Sequence, residues 1–277
     1  MAVRNQTGKT GRFFVYFVSY VLAILVLIPI CWMFIVSLKP ENSVVTVLSE
    51  LFSPPFTIES YLKVNESSLI WRWTWNSVFV GVVQTVLTLL LCSLAAFAVS
   101  RISFKGKNIV FLLILAGMMV PVEAIIVPLF SMIVELGWIN SYKALIFPGL
   151  FLPLGFLILK QFYDGIPTEL MEAAKIDGAS MLRIWWSVFL PLSRTSMAAL
   201  GIFVFVQSWN NFLWPLLIAN ESAMMTLPVA IPTFQSSFAT DLSVPMAANV
   251  LASLPALIVF LIFQKQIIKG IAMTGIK

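Results

Sequence analysis

Histidine is absent from the 277 residues, and cysteine occurs only twice. The first absence removes the commonest general base and the commonest transition-metal ligand. Cys31 and Cys92 both fall inside long apolar runs with no metal-ligating neighbour, and read as structural filler. No cluster of His, Asp, Ser or metal ligands suggests a membrane enzyme. A phosphate loop is missing too. Gly8-Lys9-Thr10 imitates the end of a GxxxxGK[ST] motif, but Val3 stands where the first glycine is needed, so the chain has no ATP site by that route. Charge is scarce: Asp, Glu, Lys and Arg make up 10% of the chain, against about a quarter in soluble domains.

What is present is apolar. Hydrophobic residues make up 60% of the sequence, and the mean hydropathy is +0.98. Four charge-free runs, Phe13–Leu38, Trp73–Ser100, Thr195–Asn220 and Leu242–Gln264, each exceed the ~20 residues that cross a bilayer. A fifth is broken only by Glu123, and a sixth lies between Lys143 and Lys160 and borrows flanking residues. The pattern predicts an all-α polytopic membrane protein with six spans, at about 13–38, 74–100, 108–132, 142–163, 193–219 and 243–265. A cytoplasmic tail over 1–12 precedes the membrane domain of 13–277, and short helices over 167–189 join spans four and five. The first run is too long for a signal-peptide core and no small-x-small cleavage site follows it, so it reads as an uncleaved span.

Basic residues orient the chain. With the N-terminus inside, Arg4, Lys9, Arg12, Arg101, Lys105, Lys107, Lys160, Lys175, Arg183, Arg194, Lys265, Lys269 and Lys277 are cytoplasmic, thirteen of the 17 Lys and Arg. Lys39, Lys63, Arg72 and Lys143 lie outside. The positive-inside rule favours this arrangement, with both termini cytoplasmic. Topology thus accounts for the net charge of +5 without a nucleic-acid partner, and the basic loop Arg101–Lys107 needs no other explanation. Trp71, Trp73 and Trp75 read as an interfacial belt at the outer end of span two.

Glu123 and one polar cluster stand out within the spans. Glu123 lies 16 residues past Lys107, ~24 Å along a helix. It either faces a cavity or snorkels to the outer surface. Gln207, Ser208, Trp209, Asn210 and Asn211 cluster near the same height in span five. They either bond helix to helix or bind hydroxyls and a ring face.

The main polar stretch is Gly165–Leu192, GIPTELMEAAKIDGASMLRIWWSVFLPL. Pro167 suits a first helical turn. Thr168–Ile176 is rich in helix formers, and Asp177-Gly178 supplies a stop at which glycine takes φ > 0. Ser180 can cap a second short helix running to Pro191. Ala173 and Ala174 leave the first helix a small face that another protein could approach closely. The plain alternative is a surface loop with an i,i+3 pair between Glu172 and Lys175.

Glu172-Ala173-Ala174, Gly178 and Leu190-Pro191 together resemble the EAA loop of permease subunits of binding-protein-dependent ABC importers; Val188 replaces the usual Ile. Asn76-Ser77-Val78, the segment Ser93–Lys107, SWNNFLWPLLI with Asn211 for the usual acid, and TLPVAIPTF (Thr226–Phe234) are similar to the sugar branch, the maltose permease kind. So is the tail from Gln264, through Lys265, Lys269 and Gly270, to Lys277, with Thr274 where Gly is common and Gly275 following. The resemblance covers about residues 76–277.

It implies a type I ABC importer fold in a bacterial inner membrane. It implies as partners a second homologous permease subunit, two ATPase subunits that carry the ATP and Mg²⁺, and an extracytoplasmic solute-binding protein. No cofactor or metal is implied for this chain. Glu172, Ala173, Ala174, Asp177 and Gly178 are the expected ATPase-coupling residues, and Glu123, Gln207, Trp209, Asn210 and Asn211 the candidate pathway residues. Permeases for amino acids or phosphate share the EAA loop. A secondary transporter is the more distant alternative, and its paired halves are not seen.

Overall fold

The computed structural model describes residues 9–40, 51–237 and 242–274. Among them there is no β-strand. The chain divides into two compact units, Met1–Ile70 with Ile231–Ser253, and Trp71–Ala230 with Leu254–Lys277.

In the first unit, α1 (Lys9–Ser37) is a single helix. Its stretch Phe13–Ser37 is apolar enough to cross a bilayer, and none of its most apolar window is buried. Lipid or a partner must therefore cover it. Its end is tied down locally. Ser37 Oγ lies 2.6 Å from the Tyr61 hydroxyl on α2 (Glu59–Ser67), and Thr57 N donates to Leu38 O at 2.7 Å. Lys39 is buried, donates to Ser53 O and sits 4.4 Å from the Phe56 ring centre.

The second unit is built on α3 (Ile70–Arg101), long enough to cross the bilayer without a break. The next expected span is not straight. It forms α4 (Lys107–Gly117) and α5 (Val122–Glu135), bent by 98°. Pro121 has no N–H to continue the ladder and forces its predecessor out of the helical region. Met118 and Met119 close the first helix with bonds to Leu115 O and Ala116 O, three residues back, at 3.0 Å each.

Span four is likewise a bent pair. α6 (Tyr142–Ile146) continues as a 3₁₀ turn Phe147–Gly149, and α7 (Pro153–Asp164) follows at 48°. The short helices between spans four and five comprise α8 (Thr168–Ile176) and α9 (Met181–Ile184). A π-helical turn Trp185–Phe189 and a last α turn Leu190–Leu192 complete the segment.

Span five is α10 (Arg194–Trp209), set at 81° to the Met181–Leu192 segment. The sequence pattern carries this span to residue 219, but the helix stops at Trp209, and α11 (Leu213–Ile218) follows beyond Asn210-Asn211. Pro215 favours the break: it has no N–H to give Asn211 O, and it sits in the first turn of α11, where that missing donor costs nothing. The last helices are α12 (Leu227–Ser237) and α13 (Ser243–Thr274). α1, α3 and Ser243–Ile262 of α13 pass as spans alone, and each bent pair counted as one brings the total to six.

The interfacial tryptophans divide. Trp71 and Trp75 are exposed, whereas Trp73 is buried and donates its indole N–H to Ser222 O at 2.6 Å. Asn76 Nδ2 reaches Ala223 O at 2.9 Å and Met225 O at 2.8 Å. Tyr142 donates to Asn76 Oδ1 at 2.6 Å, and Leu227 N donates to Ser77 Oγ at 2.8 Å. One end of α3 thereby holds the 222–227 loop through its backbone carbonyls and the Leu227 N–H.

Candidate coupling site and polar membrane residues

α8 starts after Pro167, whose ψ of 139° makes it the cap rather than the first helical residue. It stops in a Schellman turn. Ala179 N donates to Ala174 O at 3.0 Å and Gly178 N to Lys175 O at 2.9 Å, with Gly178 at φ +75°. Those two bonds satisfy carbonyls the helix end would strand. Ser180 Oγ then accepts from Arg183 N at 3.4 Å to cap α9.

The outward surface of this turn carries Glu172, Ala173, Asp177 and Gly178, all exposed, while Ala174 is half-buried against the core. No Glu172–Lys175 ion pair forms among the described residues. Ile176 at the tip is 87% exposed. The sequence pattern does not single it out, because Ile176 is an ordinary member of the helix-forming run.

Beneath the loop lies a buried polar node. The Tyr163 hydroxyl, at the end of α7, sits 2.7 Å from Ser93 Oγ on α3 and 3.2 Å from Ser193 Oγ at the start of α10. Trp185 Nε1 donates to Ser93 Oγ at 2.9 Å. Tyr163, Ser93 and Ser193 are completely buried. Phe189 closes the node against Tyr163 and Phe97, with ring centres 5.3 and 4.9 Å away.

Arg101 completes it. Its guanidinium donates to Tyr163 O and Ile166 O and lies 5.3 Å from the Phe189 ring centre. Positive-inside topology is therefore an insufficient account of Arg101, which caps the last carbonyls of α7 where the chain enters the loop. Alongside, Lys160 pairs with Asp164 at 2.7 Å, and Ser100 donates to the same carboxylate. Both flanks of α8 are thus anchored to α3, α7 and the start of α10.

The polar residues of the membrane segments are less gathered. Glu123 is exposed in the first turn of α5. The 98° bend precedes it, so counting along a straight helix no longer gives its height, and the agreement with the span-five cluster loses its basis. In that cluster Gln207, Asn210 and Asn211 are exposed. Trp209 is buried and stacks on Phe205 at 5.8 Å. A cavity of about 600 Å³ is lined by Val82 and Thr85 of α3, Trp186 of the loop, and Arg194, Gly201 and Phe205 of α10. Its lining includes neither Glu123 nor Gln207–Asn211.

The family model described as "Binding-protein-dependent transport system inner membrane component" matches residues 88–273, which take in the loop and its anchoring node. The chain belongs to this family. Among relatives of this inner membrane component is the arabinooligosaccharides transport system permease protein AraQ of Halalkalibacterium halodurans. It is 33% identical over 259 residues, covering 92% of this chain and 93% of the relative. The trehalose/maltose transport system permease protein MalG of Thermococcus litoralis is 34% identical over 267 residues, 94% of each chain.

A crystal structure of a bacterial ABC transporter involved in the import of the acidic polysaccharide alginate superposes with a TM-score of 0.81 at 22% identity, covering 93% of this chain and 98% of that one. That likeness is one of fold: all-α and of type I, in a multi-pass protein of the inner membrane.

Proposed function

We propose that this inner membrane component is one permease subunit of an ATP-driven importer, and that its cargo is a sugar or oligosaccharide. The observation that carries the ATP-driven part is the loop. A short helix with a small face, a Schellman turn and an exposed Ile176 projects from a buried polar node joined to three membrane helices. In this reading Glu172 offers a carboxylate to a cationic or N–H partner. Ala173 and Ala174 permit close approach, and Asp177-Gly178 makes the turn. ATP and Mg²⁺ belong to two partner ATPase subunits, and this chain does not hydrolyse ATP.

A second, homologous permease subunit completes the membrane pathway, and an external binding protein delivers the solute. Both termini and the loop are cytoplasmic. When ATP closes the ATPase pair, the seated helices move with it. The Tyr163 node passes that movement to α3, α7 and α10, which open the pathway outward. Gln207, Trp209, Asn210 and Asn211, with Glu123 at the bend, are the residues proposed to line it.

The sugar assignment is supported by the transport systems for which the relatives are named. A phosphate ester is the second reading. It is favoured by the sn-glycerol-3-phosphate transport system permease protein UgpE of Yersinia enterocolitica, 31% identical over 256 residues. The test is ATPase stimulation in the reconstituted complex with its binding protein, given oligosaccharides and then sn-glycerol-3-phosphate. Stimulation by an oligosaccharide supports the first reading, and stimulation by the ester alone replaces it with the second.

A further inference from the structure

Gln84 is an uncharged polar side chain within the charge-free run Trp73–Ser100. It lies 17 residues before Arg101 and 14 after Ile70, roughly 25 and 21 Å along the helix axis. It is therefore near the middle of the longest membrane helix of its unit, where an unpartnered amide costs several kcal/mol.

Its amide is satisfied from two other membrane segments. Nε2 donates to Gly149 O at 3.2 Å, and Ser208 Oγ donates to Oε1 at 2.8 Å. Each partner sits at a break. Gly149 ends the 3₁₀ turn before the kink at Pro153, and Ser208 is one residue from the end of α10. Thr88 Oγ1 also points to Gly149 O, at 3.4 Å. A Cβ at Gly149 would lie 2.0 Å from Gln84 Nε2, so a larger residue there would push the Gln84 amide off this carbonyl.

Three properties of this group belong to a solute station more than to packing glue. Its donors and acceptors are all neutral, which matches hydroxyl groups rather than an ion. Its bonds tie the unbroken α3 to two segments that are already interrupted, so they can separate without unwinding a helix. Ser208 leads directly into the exposed Asn210-Asn211 pair, and Trp209 between them stacks on Phe205.

We infer that Gln84, the Gly149 carbonyl and Ser208 form a hydroxyl-binding station of the translocation pathway, whose mutual hydrogen bonds are exchanged for bonds to a neutral polyhydroxy solute as it passes. This rests on the importer reading and adds to it a contact site on α3. The solute's hydroxyls replace each bond in kind. The Gln84 amide keeps a donor and an acceptor in both situations, and no buried group is stranded.

The test is cysteine accessibility in the whole complex in proteoliposomes. Cys31→Ser and Cys92→Ala provide the background for Gln84→Cys and, as an isosteric second position, Ser208→Cys. Leu113→Cys, on the exposed apolar surface of α4, serves as the membrane-facing control. The probe is a charged methanethiosulfonate, which does not partition into lipid.

Both station cysteines should label during ATP turnover while the control does not. Excess maltose or arabinotriose should slow that labelling about fivefold, the shielding that mass action gives at roughly four-fifths occupancy. Sodium sulfate at equal concentration should leave the rate unchanged. Protection of both cysteines in every nucleotide state overturns the inference and assigns the bonds to packing. Labelling that neither sugar slows, or that sulfate slows equally, also overturns it, since water then passes without a hydroxyl site. ATPase co-purification, scored on the same preparation, reports on the importer reading separately.

Discussion

Gly178 offers the sharpest test of coupling because its cost can be worked out from the backbone alone. It sits at φ +75°, and no atom lies within 4 Å of where its Cβ would be. A Cβ there meets no neighbour, so the conformational term dominates the penalty of Gly178→Val. Holding an L-residue left-handed costs roughly 1–2 kcal/mol, with a β-branched residue at the upper end.

If the turn instead relaxes, it gives up the bonds Ala179 N–Ala174 O and Gly178 N–Lys175 O, worth about 1 kcal/mol each. By either route the docking-competent shape of α8 loses about 2 kcal/mol, or roughly 30-fold in affinity for a socket that requires it. Gly106 supplies the control. It too has a positive φ, +85°, with nothing within 4 Å, but it caps α4 rather than α8. Gly106→Val therefore carries the same local cost and no docking cost.

The assay is ATPase retention on pull-down, normalised to the membrane level of each variant. Retention should fall for Gly178→Val alone. Full retention with full uptake for Gly178→Val, or an equal loss for Gly106→Val, would refute the reasoning.

Tyr163→Phe removes the hydroxyl that joins Ser93 and Ser193, at a cost of about 1–3 kcal/mol. The complex should still assemble and hydrolyse ATP, with fewer solute molecules moved per ATP in proteoliposomes, and an unchanged ratio would reduce the node to packing. Reporter fusions at Gly137 and Asn220 should read outside, and those at Gly106 and Gly178 inside; a cytoplasmic signal at Gly137 would undo the topology. Glu123→Gln and Asn210→Ala should impair uptake while leaving assembly intact, and wild-type uptake in both would remove them from the pathway.

The loop between spans four and five was legible in the sequence because its determinants are local. Pro167, the run of helix formers, Asp177-Gly178 and Ser180 each act within four residues of themselves, and the structure puts helix, turn and cap at those positions. The spans were legible as spans but not as shapes. Hydropathy averages over a window as long as a membrane crossing, so it registers α4 and α5 together while passing over the 98° bend between them. Pro121 and Pro215 carried that information, and a proline in an apolar run is where continuity should be doubted.

The remaining failures differ in kind. Arg101 reaches carbonyls 62 and 65 residues away, and Trp185 reaches a serine 92 residues away. No periodicity encodes such partners; only the fold brings them together. Trp73 was recoverable, however. At 100° per residue Trp71 and Trp75 share one helix face and Trp73 stands on the far side, which is why two are exposed and the third is buried. Gln84 was recoverable by another route. Charge counting passes over it because an amide is neutral, yet lipid leaves no polar group unpaired. Asking where each uncharged donor and acceptor of a span finds its partner leads from Gln84 to a carbonyl in span four and a hydroxyl in span five. The small residue at Gly149 and the breaks in both segments are where those partners come within reach.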